Sequence, residues 1–143
     1  MSQTGHLLKL EGLPEAKWDD EFLWYEIDID DEITVYFELP EDISDLSNSE
    51  REQVVENYQT VVSKLNQYPR QAAEKSFELA QNWGYLRDEE YLEGQYSVCT
   101  LRIRETLGSC EVGFISEDNI FRDHSIDTYL NKKGDIESVR LSG

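Results

Sequence analysis

The sequence predicts an α+β fold: a mostly antiparallel sheet of β-hairpins packed with a two-helix central segment. Three observations predict it. Apolar residues alternate with polar ones from Phe22 to Leu39, fall at helical spacing from Val54 to Ala80, and alternate again from Val98 to Leu141. The 143 residues suit one domain spanning the whole chain.

Leu7 to Glu11 reads as a short first strand, broken by Gly12 and Pro14. From Phe22 to Ile29, Leu23, Tyr25, Ile27 and Ile29 share one face, and Trp24, Glu26 and Asp28 the other. Ile33, Val35, Phe37 and Leu39 repeat the inward pattern. A three-residue loop, Asp30-Asp31-Glu32, sets Ile29 opposite Ile33, Ile27 opposite Val35 and Tyr25 opposite Phe37. A two-residue loop would set apolar residues against polar ones. The outer face then pairs Trp24 with Glu38, Glu26 with Tyr36 and Asp28 with Thr34.

Pro40 ends that strand, and Glu41 to Asn48 is an acidic loop. Ser49 and Glu52 have capping-box spacing ahead of a helix that carries Val54, Val55, Tyr58, Val61, Val62 and Leu65. That helix stops near Gln67, since Pro69 disfavours helix in the residue before it and itself suits the first turn of a second helix. Ala72, Ala73, Phe77 and Ala80 line one side of the second helix, and Gly84 is its C-cap. In the last third, a strand from Val98 to Glu105 turns at Gly108 into one carrying Cys110, Val112 and Phe114. Pairing Ile103 with Cys110, Leu101 with Val112 and Cys99 with Phe114 keeps the apolar face intact and sets Arg102 opposite Glu111. His124–Leu130 and Ile136–Leu141 form a final hairpin around Lys132-Lys133-Gly134-Asp135.

The formal charge is −18, and it is uneven: Glu11 to Glu52 holds 16 acids against Lys17 and Arg51, while the rest holds 15 acids and 11 bases. The acid-rich third also carries Trp18, Phe22, Trp24, Tyr25, Tyr36 and Phe37, which is the pattern of folded structure with a negative surface rather than of a disordered tail. Such a surface repels phosphate backbones, so direct nucleic-acid binding is disfavoured. No apolar run reaches the length of a membrane span and no basic-then-apolar start suggests secretion, so the expected setting is cytoplasmic, without membrane contact. Either the acidic face is simply solvated, or it docks a basic partner. Trwo readings also stand open for Trp24 and Tyr36: exposed anchors, or core rings covered by the helices.

Chemical motifs are weak. Cys99 and Cys110 fall on the inward face, where thiols are usually inert, and their offset along the strands argues against a disulfide. His124 beside Asp123 has no thiol placed next to it. Asp28, Asp30, Asp31 and Glu32 lack the central glycine of a calcium loop and fall in a hairpin, so no metal is expected. Paired carboxylates for glycoside hydrolysis cannot be specified by spacing in so acidic a chain. No phosphate loop, nucleophile elbow or metal-ligand helix motif is present, and no cofactor is expected.

The segment Ile120-Phe121-Arg122-Asp123-His124-Ser125-Ile126-Asp127-Thr128-Tyr129, followed by Gly134-Asp135-Ile136-Glu137-Ser138-Val139, resembles the ending of small bacterial domains found among immunity proteins of polymorphic toxin systems, including contact-dependent growth inhibition. It spans residues 120–139, about a seventh of the chain, as a Phe-x-x-His-Ser-Ile-like strand, a Gly-centred turn and a final strand. The resemblance implies a non-enzymatic bacterial protein that binds and neutralises a cognate toxin domain in a one-to-one complex. It names no binding residues. Those follow from charge: a toxin that cuts nucleic acid needs a basic cleft, so its inhibitor should be acidic. Glu26, Asp28, Asp30, Asp31, Glu38, Glu41 and Asp42 are the expected charged contacts, with Trp24 and Tyr36 as aromatic anchors. The rival readings are an acidic adaptor or nucleic-acid mimic acting on a DNA-binding protein, and a carboxylate-based hydrolase.

Overall fold

A computed structural model of the chain describes residues 6–30, 32–117, 120–122 and 124–142. Among these residues, seven strands form one sheet whose spatial order is the order of the chain: β1 (Lys17–Asp19), β2 (Trp24–Asp30), β3 (Ile33–Phe37), β4 (Tyr96–Ile103), β5 (Glu111–Ser116), β6 (Ser125–Leu130) and β7 (Ile136–Ser142). Three helices, α1 (Asn48–Ser63), α2 (Tyr68–Asn82) and α3 (Glu89–Gln95), lie between β3 and β4. That pair alone is parallel; the other neighbours are antiparallel. Parallel neighbours cannot be joined by a tight turn, so the helical segment is the crossover that returns the chain to the same end of the sheet. The class is α+β with a mostly antiparallel sheet, and the central segment holds a third helix that periodicity did not reveal.

The helices cover one face. Tyr25, Val35, Phe37, Leu101, Ile103, Val112, Phe114, Ile126 and Leu130 point toward them and are buried with Val54, Val61, Ala72, Ala73 and Ala80. Small residues along α2 let it lie close against β4 and β7, and Ser76 Oγ shares a 2.7 Å hydrogen bond with the Tyr96 hydroxyl. Asn57 is buried in α1 and donates its amide to the carbonyls of Arg104 and Glu105 at 2.9 and 3.1 Å, tying the helix to the end of β4. The α1–α2 corner is held to the β6–β7 turn by Lys64 Nζ and Gln71 Nε2, each 2.9 Å from Asp135, and by the Tyr68 hydroxyl donating to Gly134 O at 2.8 Å. Gly134 has φ 82°, and a Cβ there would stand 2.7 Å from Thr60 Cγ2, so glycine meets both the turn and the close approach of α1.

The β2–β3 register has Tyr25 opposite Phe37, Glu26 opposite Tyr36, Ile27 opposite Val35 and Asp28 opposite Thr34, as the alternation requires. The turn is different from the expectation. Asp30, not Ile29, faces Ile33, and the register shifts between Asp28 and Asp30. A bulge at this point absorbs the one-residue slip, so a two-residue connection still leaves the apolar faces aligned. β3 ends at Phe37, one residue before the expected Trp24–Glu38 pair; on its other side Trp24 lies opposite Asp19 of β1, and the Glu38 N–H donates to Ile103 O of β4 at 3.0 Å.

Other boundaries move for local reasons. Leu7 makes only an isolated bridge to Lys17, and the edge strand is Lys17–Asp19 rather than Leu7–Glu11. Leu23 is not inward: it has φ 60° and is 66% exposed. The capping box on α1 is Ser47 with Glu50, two residues before the expected Ser49–Glu52 pair. Both pairs have the spacing, but Leu46 is buried and Arg51 donates to the carbonyls of Ile43 and Leu46 at 3.2 and 3.0 Å, which fixes the chain entry at Ser47. Two long helices do break ahead of Pro69, but α1 ends at Ser63 with Lys64 as its C-cap, four residues before the expected stop at Gln67, and Tyr68 is already the first residue of α2, with Pro69 in its first turn. Trp83 is the C-cap of α2, and Gly84, at φ 97°, is the residue that follows it. In β4 the register shifts between Val98 and Thr100, so Val98 rather than Cys99 faces Phe114, while Leu101–Val112 and Arg102–Glu111 hold. No Ile103–Cys110 ladder pair forms; the Arg104 N–H donates to Cys110 Sγ at 3.3 Å across a 3₁₀ turn at Leu107–Ser109.

Candidate functional site

Strand alternation sends Trp24, Glu26 and Asp28 of β2, Thr34 and Tyr36 of β3, Arg102 of β4, Glu111 of β5 and Asp127 of β6 to the face the helices leave open. Trp24 and Tyr36 are half-buried there and touch, with ring centroids 4.6 Å apart. Neither ring lies in the helix-packed core. Trp24 Nε1 donates to Glu26 Oε1 at 3.3 Å, and Thr34 Oγ1 donates to Asp28 Oδ1 at 2.8 Å, so the outer carboxylates are oriented by their own strand neighbours. Burial, with the nearby Glu26 charge adding to it, pushes the Tyr36 phenol pKa up, which keeps it a neutral hydrogen-bonding group.

The nine charged and aromatic positions expected from sequence do not gather into one patch. Trp24, Glu26, Asp28 and Tyr36 form a cluster. Asp30 is exposed at the hairpin end, where its carboxylate accepts the Glu32 N–H at 3.0 Å. Asp31 lies outside the described residues. Glu38 is on the open face but is held in an ion pair with Arg104. Glu41 and Asp42 stand at the other end of β2, beside Tyr25, whose hydroxyl donates to the Glu41 carbonyl. Tyr25 and Asp30 are five residues apart, about 17 Å along a strand. Asp42 caps the 3₁₀ turn Ile43–Asp45, accepting from Ser44 Oγ at 2.6 Å and Ser44 N at 3.0 Å, and these bonds hold its carboxyl below the usual range.

The open face is also less uniformly acidic than the residue count implies. Arg102 lies 5.6 Å from the Trp24 ring and 3.8 Å from Glu111, and Arg104 reaches Glu111 at 3.4 Å. Arg140 is 3.9 Å from Asp127 and sits over the Tyr129 ring. The negative end is therefore the β1–β2–β3 side, and the middle of the sheet is charge-balanced. Over the β4–β7 half runs a groove of about 510 Å³ lined in part by Cys99, Arg102, Gly113, Asp127 and Arg140. It opens where β5 and β6 share one ladder pair, Phe114–Ile126, and Thr128 Oγ1 takes over both backbone groups of Val112.

Two exposed residues were missed by periodicity. Phe22 is 56% exposed and stacks on Trp24 at 5.1 Å, and Leu23 follows it at the β1–β2 turn. The available signal was Asp19-Asp20-Glu21, an acidic run that marks a turn directly before them.

Cys99 belongs to the bulge and lines the outer groove, correcting its inward assignment. Burial raises the pKa of both thiols. Cys110 sits 3.7 Å from Arg104 O and 3.6 Å from Thr106 O, and the His124 ring packs edge-on against Trp83 at 5.4 Å. Asp123 lies outside the described residues. The carboxyls whose pKa moves, Asp42, Glu50 and Asp135, move down because they accept hydrogen bonds. Among the described residues, no three His, Cys, Asp or Glu side chains gather as a metal site, and no helix is long and apolar enough to cross a membrane. Comparison with family models, curated proteins and solved structures returns no match.

Proposed function

We propose that this chain is an immunity protein that binds and neutralises a basic bacterial toxin domain, in the cytoplasm and as a one-to-one complex. The observation that supports the reading most is the uncovered sheet face at the acidic end, where Trp24 and Tyr36 touch and Glu26 and Asp28 flank them. A rigid strand pair presents aromatic area with little ordering cost, and the surrounding carboxylates attract a cationic partner from a distance. The resemblance of the C-terminal hairpin to immunity domains supports the same class. A nuclease is the favoured target, because a phosphate-binding cleft supplies the positive counterpart. Asp42, one of the expected charged contacts, has its carboxyl held below the usual range by the hydrogen bonds from Ser44, which favours the ionised form that an ion pair needs.

The test is a search for a toxin gene directly upstream of this one, followed by co-expression of the two; a neighbourhood without a toxin gene counts against the reading. Growth should be restored, and the purified pair should associate faster at low salt. The double variant Asp28→Lys with Asp30→Lys should associate at least about tenfold more slowly at low ionic strength, with the difference shrinking as salt is raised. Equal association rates for a variant with an unchanged melting temperature would remove these carboxylates from the interface. Growth that is not restored would remove the immunity reading itself.

A further inference from the structure

The β1–β2 turn carries two large apolar side chains that the core does not use. Phe22 and Leu23 are 56% and 66% exposed. Leu23 also stands at φ 60°, a region that L side chains other than Asn and Asp avoid, because Cβ crowds the following carbonyl. Nothing about the turn itself asks for leucine. The loop is fixed by Asp19, whose carboxylate accepts the N–H groups of Glu21 and Phe22 at 2.8 and 3.1 Å and whose carbonyl accepts that of Leu23 at 2.8 Å. Gly or Asn would satisfy the same backbone with less strain. A strained, exposed leucine kept where a small residue fits better is an outlier that points to use.

The ring of Phe22 lies nearly parallel to Trp24, 17° between planes, and Trp24 in turn meets Tyr36. The knuckle is thus the raised end of a continuous aromatic strip whose far ring is fixed in the sheet. Its surroundings are acidic: the stretch from Asp19 to Asp30 holds six carboxylates and no Lys, Arg or His. A second copy of this chain, at −18, would be repelled from such a patch, and so would a nucleic acid or an anionic membrane. A basic protein with an apolar socket inside its positive surface is complementary on both counts.

We infer that the Phe22–Leu23 knuckle is the apolar anchor of the interface, seated in a socket on a basic protein, with Asp19, Glu21, Glu26 and Asp28 as its charged rim. This rests on the neutralisation reading and adds to it a division of labour: carboxylates set how fast the partner arrives, and the knuckle sets how long it stays.

The probe is the catalytically silenced toxin domain encoded next to its gene, immobilised and exposed to wild-type protein, Phe22→Ser and Leu23→Gly at about 150 mM salt. The expected result is dissociation about 10- to 100-fold faster for each variant, with association within about twofold of wild type. The free Leu23→Gly protein should melt at the wild-type temperature or above, since the substitution removes left-handed strain and no buried contact. Dissociation within twofold of wild type for both variants overturns the anchor while leaving the neutralisation reading in place. So does a Leu23→Gly protein whose melting temperature falls by more than about 5 °C, because that makes Leu23 a folding residue. A wild-type protein that gives no complex overturns both.

Discussion

Thr128 replaces a stretch of β-ladder with one hydroxyl, and Thr128→Val tests how much depends on it. The Val112 N–H donates to Thr128 Oγ1 at 2.9 Å, and the same oxygen donates to Val112 O at 2.9 Å. On an antiparallel strand, a residue's N–H and C=O point toward the same neighbour. Both groups of Val112 therefore face β6, and its partner across β4, Leu101, is not the one that satisfies them. Thr128 and Val112 are both fully buried, so water does not replace the lost bonds. Valine keeps the shape and removes only the hydroxyl. Leaving a buried donor and a buried acceptor unmet costs about 1–3 kcal/mol each, or about 3 kcal/mol together after local relaxation. With an unfolding entropy of roughly 2.1 cal/mol/K per residue, that is a fall of about 10 °C in the melting temperature. Thr128→Ser keeps the hydroxyl and loses one methyl, about 1 kcal/mol. Thermal melts followed by circular dichroism give the ranking, and amide exchange at Val112 should accelerate only in the valine variant. A valine variant within about 1 kcal/mol of wild type, or more stable than the serine variant, would refute the ladder role of Thr128.

Two further outcomes follow from local geometry. Ser47→Ala should destabilise by about 1 kcal/mol, whereas Ser49→Ala should stay within about 0.5 kcal/mol, and the reverse order in urea melts would restore the downstream capping box. The Asp135 carboxyl is held below its ordinary value of 3.8, first by the hydrogen bond from Lys64 and then by that from Gln71. Its folded pKa is depressed, so its contribution is complete above the unfolded pKa and is lost as pH falls through the folded one. The stability gap between wild type and Asp135→Asn should be constant above about pH 5 and close below about pH 4; melting curves that stay parallel down to pH 3 would contradict the assignment.

Alternation along β2 and β3 made their register legible, because a one-residue slip would turn every apolar side chain of Tyr25, Ile27, Val35 and Phe37 outward. Alternation is blind to bulges. Those at Asp28–Asp30 and at Val98–Thr100 each add a residue without changing the composition of a face, so the turn length and the placement of Cys99 could not be read in advance. The short helix α3 begins at the Asp88 cap and spans only Glu89–Gln95, with Gly94 inside it, too few turns for a periodic signal. The acidic cluster was legible as composition but not as a surface. Sequence proximity put Glu41 and Asp42 with Asp28, while the strand length between Tyr25 and Asp30 separates them.

Hydrophobic period, proline and glycine positions and charge by themselves determined the α+β class, the paired strands, the two long helices with their break at Pro69, and the acidic character of the first third. These are local properties, encoded in neighbours two to four residues apart. The parallel seam between β3 and β4, the uncovered face that leaves Trp24 and Tyr36 accessible, the arginines that neutralise its centre, and the exposed Leu23 were decided only by the tertiary structure. Each depends on which segments meet across long separations, and that is set by where the helices can bury their apolar stripe on the sheet.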